Sequence, residues 1–291
     1  MAMFLQLLFT GMGIGAVYAL VSLGFVLLIC AANIVNFAQG DFAMLGAYLL
    51  VLGLNVFSLP YPVAIVLTIL LMAIFGVLFA GATYWPLRFR GALPVIISTI
   101  GAQIFLENIV LYLYGPVPQV LPGVFNSPGF TVGGVFMDSQ YLTILATASL
   151  LVLLQYLVFE KTLLGKKIQA TNQDKEMASL LGIPVVFMIL LTFAYSAALG
   201  AVAGVLVGPI LFVSVGMGGS IALKAFAANI IGGYGSIPGA IVGGLLLGVA
   251  ETFGAAYISV PYKDAFAFLI VLAFLAVRPQ GLFGEKVAEK A

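Results

Sequence analysis

The chain has 291 residues, 63% of them hydrophobic and only 7% charged, with a formal net charge of +1 and no histidine. This balance offers no basic surface for nucleic acid, the missing imidazole removes the commonest general base and metal ligand, and the lone Cys30 excludes an intrachain disulfide or a thiolate cluster. A crossing of the hydrocarbon core takes about 20 apolar residues; run after run of that kind, without alternating strand patterns, makes this an all-α polytopic membrane protein.

In chain order the apolar segments fall near 4–29, 38–55, 61–85, 94–114, 140–159, 185–207, 219–234, 238–257 and 263–278. They predict about eight or nine transmembrane helices, some broken or re-entrant. The first six residues carry no Lys or Arg, so the first run lacks a signal-peptide n-region and is expected to be a retained span. Its GMGIG at Gly11 opens a membrane run with no strand before it, which argues against a dinucleotide fingerprint. Glycines recur every fourth residue at Gly11 and Gly15, at Gly200, Gly204 and Gly208, at Gly235, Gly239 and Gly243, and at Gly244 and Gly248. Such rows let helix backbones approach closely in lipid, either inside one subunit or between subunits.

Two polar, glycine-containing interruptions occupy comparable places in the two halves: NIVNFAQGD over 33–41 and NIIGGYGS over 229–236. That arrangement predicts broken helices meeting at a midplane site, with a plain connecting loop as the alternative. Asp41, Glu107, Lys224 and Glu251 stand in or at the ends of apolar runs, where a charge costs a few kcal/mol unless it is paired or faces water. Each is therefore a candidate for a solute path, or for a structural ion pair between Lys224 and Glu251 or Glu107. Asn36, Gln39, Gln103, Asn108 and Asn229 add hydrogen-bonding capacity on the same segments. The candidate translocation path is Asn36, Gln39, Asp41, Glu107, Asn108, Asn229 and Glu251, a lining polar enough to wet yet too weak to trap a solute.

Between the fifth and sixth runs lies the one strongly polar stretch, EKTLLGKKIQATNQDKEMASLLGIP, residues 160–184. Thr171 stands three residues before Asp174 like a capping box, and Gly182 followed by Pro184 supplies a stop, so a short helix is expected near 172–181. Met177, Leu180 and Leu181 then share one apolar face that wants a partner. Arg88, Arg90, Lys161, Lys166, Lys167, Lys175, Arg278, Lys286 and Lys290 fall on one side if the segments alternate, which marks that side as cytoplasmic. The N-terminus and the 115–140 loop, with Pro116, Pro118, Pro122 and Pro128 and no basic residue, then lie outside.

The spacing Glu176, Ala178, Gly182 resembles the E-x-A-x-x-x-G loop by which importer permeases of the ATP-binding cassette class dock on their ATPase, and DKEMASLLGI is similar to that loop in the branched-chain amino acid (LIV-type) permeases. NFAQGDFAMLGAY, TIGAQIFLEN, AYSAALGAVAGVL, LKAFAANIIGGYGSIPGAIVGGLLLGVAE and RPQGLFG, in that order, extend the resemblance over nearly the whole chain. It implies a single transmembrane permease domain over 1–291, with a cytoplasmic coupling loop at 160–184 and an external loop at 115–140. Asp174, Glu176, Met177, Ala178, Leu180, Leu181 and Gly182 would form the ATPase-coupling surface. The implied partners are two ATPase subunits that bind ATP and Mg, a second related permease subunit or a second copy of this chain, and an external solute-binding protein. The implied home is the bacterial cytoplasmic (inner) membrane. The family often has His where this chain has Gln39, which removes any titrating role there.

This chain holds no G-x-x-x-x-G-K-[ST], and LLGKKI lacks both the glycine spacing and the hydroxyl, so hydrolysis of ATP must come from a partner and no catalytic or metal-binding residue is expected here. Relatives in the resembled family take branched-chain amino acids, other amino acids, short amides or urea. A different class, an ion-coupled secondary transporter, would also suit the two broken segments but has no use for the helix near 172–181. An intramembrane aspartyl protease needs two carboxylates sharing a proton, and Gly40-Asp41 has no matching tyrosine-aspartate pair.

Overall fold

Each of the nine apolar segments becomes a helix. The computed structural model describes residues 2–124, 129–132 and 135–283. It contains α1 (Ala2–Ala32), α2 (Gln39–Asn55), α3 (Tyr61–Phe79), α4 (Ala92–Tyr114), α5 (Ser139–Lys161), α6 (Leu163–Gln173), α7 (Lys175–Leu180), α8 (Val185–Leu211), α9 (Met217–Gly232), α10 (Ile237–Tyr257) and α11 (Lys263–Val277). A wide turn over Ala80–Tyr84 and a tight one over Trp85–Leu87 prolong α3. Six helices, α1, prolonged α3, α4, α5, α8 and α10, are long and apolar enough to cross a membrane. The others among the nine, α2, α9 and α11, have 17, 16 and 15 residues. The 115–140 loop adds a feature its prolines did not announce, an antiparallel hairpin of β1 (Phe130–Val132) and β2 (Val135–Met137). Pro128, Lys286, Lys290 and the last glycine of RPQGLFG lie outside the described residues.

Helix α1 is apolar on every side, and a helix of that kind belongs in the middle of a bundle. Leu20, Leu23, Phe25, Val26, Leu27 and Leu28 are indeed completely buried among α5, α8, α9 and α10. With lipid on the outside there is no hydrophobic drive between helices, so close approach has to come from small side chains. The glycine rows supply it inside this chain. A Cβ on Gly15 would come 2.7 Å from the Gly244 carbonyl of α10, and one on Gly11 would come 2.8 Å from Val249 Cα. Gly200 and Gly204 seat α8 against Phe42 and Ala43 of α2 in the same way.

At Gly204 the added carbon would meet the Ala43 carbonyl, a backbone atom that cannot swing aside. Gly204→Leu is therefore expected to lower stability by about 3 kcal/mol through overpacking, read as a fall in the thermal unfolding midpoint in detergent. Gly101, with nothing within 4 Å of its Cβ position, is the control: Gly101→Leu should stay within about 0.5 kcal/mol.

Contacts at the helix ends show that the nine helices alternate in direction. At one end Lys175 Nζ donates to the Ala32 carbonyl (3.3 Å) and to the Tyr84 hydroxyl (3.4 Å), joining the ends of α1 and α3 to the polar loop. The Phe283 N–H donates to the Gly232 carbonyl (2.9 Å), and the Cys30 thiol to the Gly235 carbonyl (3.4 Å), which brings in the ends of α9 and α11. At the opposite end Gln119 and Val213 exchange two backbone bonds (2.8 and 2.9 Å), and Tyr61 Oη donates to the Pro122 carbonyl (3.2 Å). Arg88, Arg90, Lys161, Lys166, Lys167, Lys175 and Arg278 thus gather at the polar-loop end, as the expected alternation requires.

Candidate functional site

The polar loop corrects one expectation and supports another. Thr171 does not cap the loop helix: it lies within α6, its hydroxyl donating to the Lys167 carbonyl (2.8 Å). Asp174 is the cap instead. Its Oδ1 accepts from the N–H groups of Glu176 and Met177, both at 2.9 Å, and so starts α7. A carboxylate one residue outside the helix satisfies first-turn donors directly, whereas a threonine three residues earlier is already consumed by the preceding turn. The lysine-rich half of the loop is a helix of its own, α6, with Thr162 Oγ1 accepting from the Gly165 N–H (3.3 Å). Gly182 ends α7 at φ +77°, the left-handed conformation that glycine adopts without strain.

This short helix turns Ala178 inward, at 2% exposure, and leaves Met177, Leu180 and Leu181 at 54%, 82% and 74%. Glu176 is exposed beside them. Three large apolar side chains on one turn are thus held outward at the basic end of the bundle.

The path candidates separate into three groups. At the α1–α2 break, Asn33 takes a positive φ of 56° and Asn36 Oδ1 accepts from the Ala38 N–H (3.1 Å), which turns the chain into α2. Gln39 is fully buried and wholly engaged: Nε2 donates to the Ser196 carbonyl (3.1 Å). The Ser196 hydroxyl stands 2.8 Å from Gln39 Oε1 and 3.0 Å from the Gly24 carbonyl, donating to one of them at a time. Gln39 thereby ties α1, α2 and α8 together. At the α9–α10 break, Asn229 Oδ1 accepts from the Gly235 N–H (3.4 Å) across a tight turn.

The second group surrounds the first turn of α9. Asp41 is fully buried at the start of α2, and a Cβ on Gly218 would lie 2.5 Å from its Oδ1. On the other side of that turn, a Cβ on Gly219 would lie 3.4 Å from both Gln103 Nε2 and Glu107 Oε1 of α4. Gln103 Nε2 donates to Glu107 Oε1 at 3.2 Å. Asn108 does not join them: it faces outward on α4, its Nδ2 donating to the Ile104 carbonyl (2.7 Å).

The third group is an ion network. Glu251 accepts from the Tyr18 hydroxyl (2.8 Å) and pairs with Lys224 Nζ at 2.6 Å, while Lys224 also meets Asp264 Oδ1 at 2.7 Å and Lys263 Nζ stands 4.0 Å from Glu251. The structural alternative for Glu251 is thus the one the geometry favours, with Lys224 as the partner. Tyr18, Ser196, Gly218, Gly219, Lys263 and Asp264 were missed by the sequence reading; only the glycine pair after Met217 carried a local signal, as a helix start without side chains.

Comparison with known proteins gives a family model described as the branched-chain amino acid transport system permease component, which matches residues 7–275. The high-affinity branched-chain amino acid transport system permease protein LivH of Salmonella typhimurium is 35% identical over 305 residues, covering 99% of this chain and 97% of the relative. The corresponding protein BraD of Pseudomonas aeruginosa is 36% identical over 300 residues, covering 99% and 98%. A probable LivH of Methanocaldococcus jannaschii is 27% identical over 288 residues, covering 91% and 88%.

Proposed function

This chain belongs to the branched-chain amino acid transport permease family, and from that premise we propose that it is the membrane subunit of an ATP-driven importer that carries branched-chain or related amino acids into the cytoplasm. The observation that carries the reading is α7: Asp174 caps it, Ala178 and Lys175 fasten it to the bundle, and Met177, Leu180 and Leu181 stand exposed at the end where the basic residues gather. By the positive-inside bias that end faces the cytoplasm, and the 115–140 loop faces outward.

Two ATPase subunits that bind ATP and Mg grip α7, a second related permease subunit or second copy completes the membrane part, and an external solute-binding protein delivers substrate to the opposite end. Closure of the ATPase pair on ATP pushes α7, and the push reaches the core through the contact of Lys175 with the ends of α1 and α3. The α1–α2 and α9–α10 breaks are the places where the bundle can exchange outward-open for inward-open packing, because coupling requires contacts that differ between the two states. Asn36, Gln39, Asp41, Glu107 and Asn229 line or frame the route, while Asn108 faces outward and Glu251 is held in its ion pair with Lys224.

Co-reconstituted with its partners in vesicles, the chain is expected to support leucine uptake driven by ATP with every ion gradient collapsed. Uptake that follows an ion gradient without ATP would make it a secondary transporter instead, and uptake of urea in place of leucine would change the substrate class.

A further inference from the structure

We propose that the junction of α2 and α9 receives the transported amino acid as a zwitterion, the Asp41 carboxylate taking its ammonium group and the uncapped first turn of α9 taking its carboxylate. Neither oxygen of Asp41 has a hydrogen-bond partner, although the side chain is fully buried. Among the described residues the ion pairs join Lys166 to Glu160, and Lys224 and Lys263 to Glu251 and Asp264; none reaches Asp41. A buried carboxylate without a partner is costly, and in membrane segments such a group marks a substrate or ion route. Glu107 Oε1 stands on the other side of the same turn of α9, so a second carboxyl group flanks a solute held there. Gln103 already donates to Glu107, which leaves Asp41 as the free acceptor.

The anionic end of a zwitterion finds its counterpart within the same few residues. The first four N–H groups of a helix have no acceptor inside it, and the helix dipole is positive there. Neither α2, entered from Ala38, nor the 16-residue α9, entered from Gly216, has a side chain capping its start, and backbone carbonyls already take the N–H groups of Gln39, Asp41, Met217 and Ser220, so the donors a solute would meet are those of the glycines at 40, 218 and 219. The two starts abut: a Cβ on Gly40 would strike the Gly218 carbonyl. Glycine at 40, 218 and 219 adds no side chain of its own to this junction, where the Asp41 carboxyl group and the Ala222 methyl already stand, so a solute can reach backbone beside Asp41 once α2 and α9 part. A metal ion is a poorer fit, since among the described residues no three His, Cys, Asp or Glu side chains gather to hold one, and a hard cation takes six or more oxygens. A solute with one ammonium and one carboxylate uses both halves.

The assignment rests on the importer reading above, and its test keeps the two apart. In vesicles holding the complete importer with saturating binding protein and leucine, uptake and ATP hydrolysis are measured together and expressed as leucine moved per ATP. Asp41→Asn is expected to lower that ratio at least tenfold, and Asp41→Glu, which keeps the charge but displaces it by one methylene, to give an intermediate ratio. A structural role for Asp41 would lower uptake and hydrolysis in step, so a ratio within twofold of the parent overturns the proposal. If Asp41→Asn does not assemble with its partners, Asp41→Glu decides by the same ratio. Absence of ATP-driven leucine uptake in the parent protein would overturn the importer reading instead.

Discussion

Replacing Leu180 with aspartate is expected to cut ATP-driven uptake at least tenfold while the chain stays folded in the membrane. Leu180 is 82% exposed and makes the tip of the α7 face, so its loss removes nothing from the core. A leucine buried on docking contributes about 1.5–3 kcal/mol, and a carboxylate pressed into the same apolar contact adds the cost of an unpaired charge. Together these exceed about 3 kcal/mol, and each 1.4 kcal/mol is tenfold in affinity. The ATPase subunits should therefore fail to co-purify with the variant, or hydrolyse ATP without moving solute. Leu181→Asp, at a site 74% exposed, should act alike. Uptake at the normal rate in both variants would dismiss α7 as the docking surface.

Removing Lys224 should be the most damaging single change inside the bundle. Its ammonium lies 2.6 Å from Glu251 and 2.7 Å from Asp264, with side-chain exposures of 8% for Lys224, 6% for Glu251 and 54% for Asp264. Lys224→Met leaves the buried Glu251 with the Tyr18 hydroxyl and only the half-exposed Lys263 ammonium 4.0 Å away, and breaking one side of a buried pair costs about 3–5 kcal/mol. Asp264 can turn to its open side and contributes little to that loss. The double variant Lys224→Met with Glu251→Gln should recover at least half, because a neutral amide oxygen still accepts from Tyr18 and the charges that lose a partner, Asp264 and Lys263, are part-exposed. A double-mutant cycle on thermal midpoints in detergent checks this; additive losses would show that the two side chains do not act on each other.

Composition was enough for the architecture. All nine apolar runs became helices because each contains its own reason to be one: no water within the membrane and a backbone that must bond internally. The stop at Gly182 was legible for a similar reason, since a left-handed residue after an apolar turn is a local matter. The start of the same helix was misplaced by three residues, and the cause is instructive. Thr171 and Asp174 are both good caps, and the choice between them depends on whether the preceding lysine-rich stretch is already helical, which it is as α6.

The glycine rows could be seen, but not what they touch. Gly204 meets Ala43 across more than a hundred and fifty residues of chain, and the same row could as well have faced a second subunit. The intramembrane charges divide along the same line. Glu251 reads as a candidate for the route until Lys224, Tyr18 and Asp264 are seen around it; Asp41 reads the same way and keeps its claim, because nothing comes to meet its carboxylate.

Membrane residence, the positions of the apolar helices, the basic end and the outward apolar turn at 177–181 follow from residues within a few positions of one another, whose periodicity and charge act locally. Which carboxylate is neutralised and which is left facing two helix starts was settled only by packing. An ion pair or a glycine contact joins residues far apart in the chain, and only the angle and depth at which the helices cross bring them together.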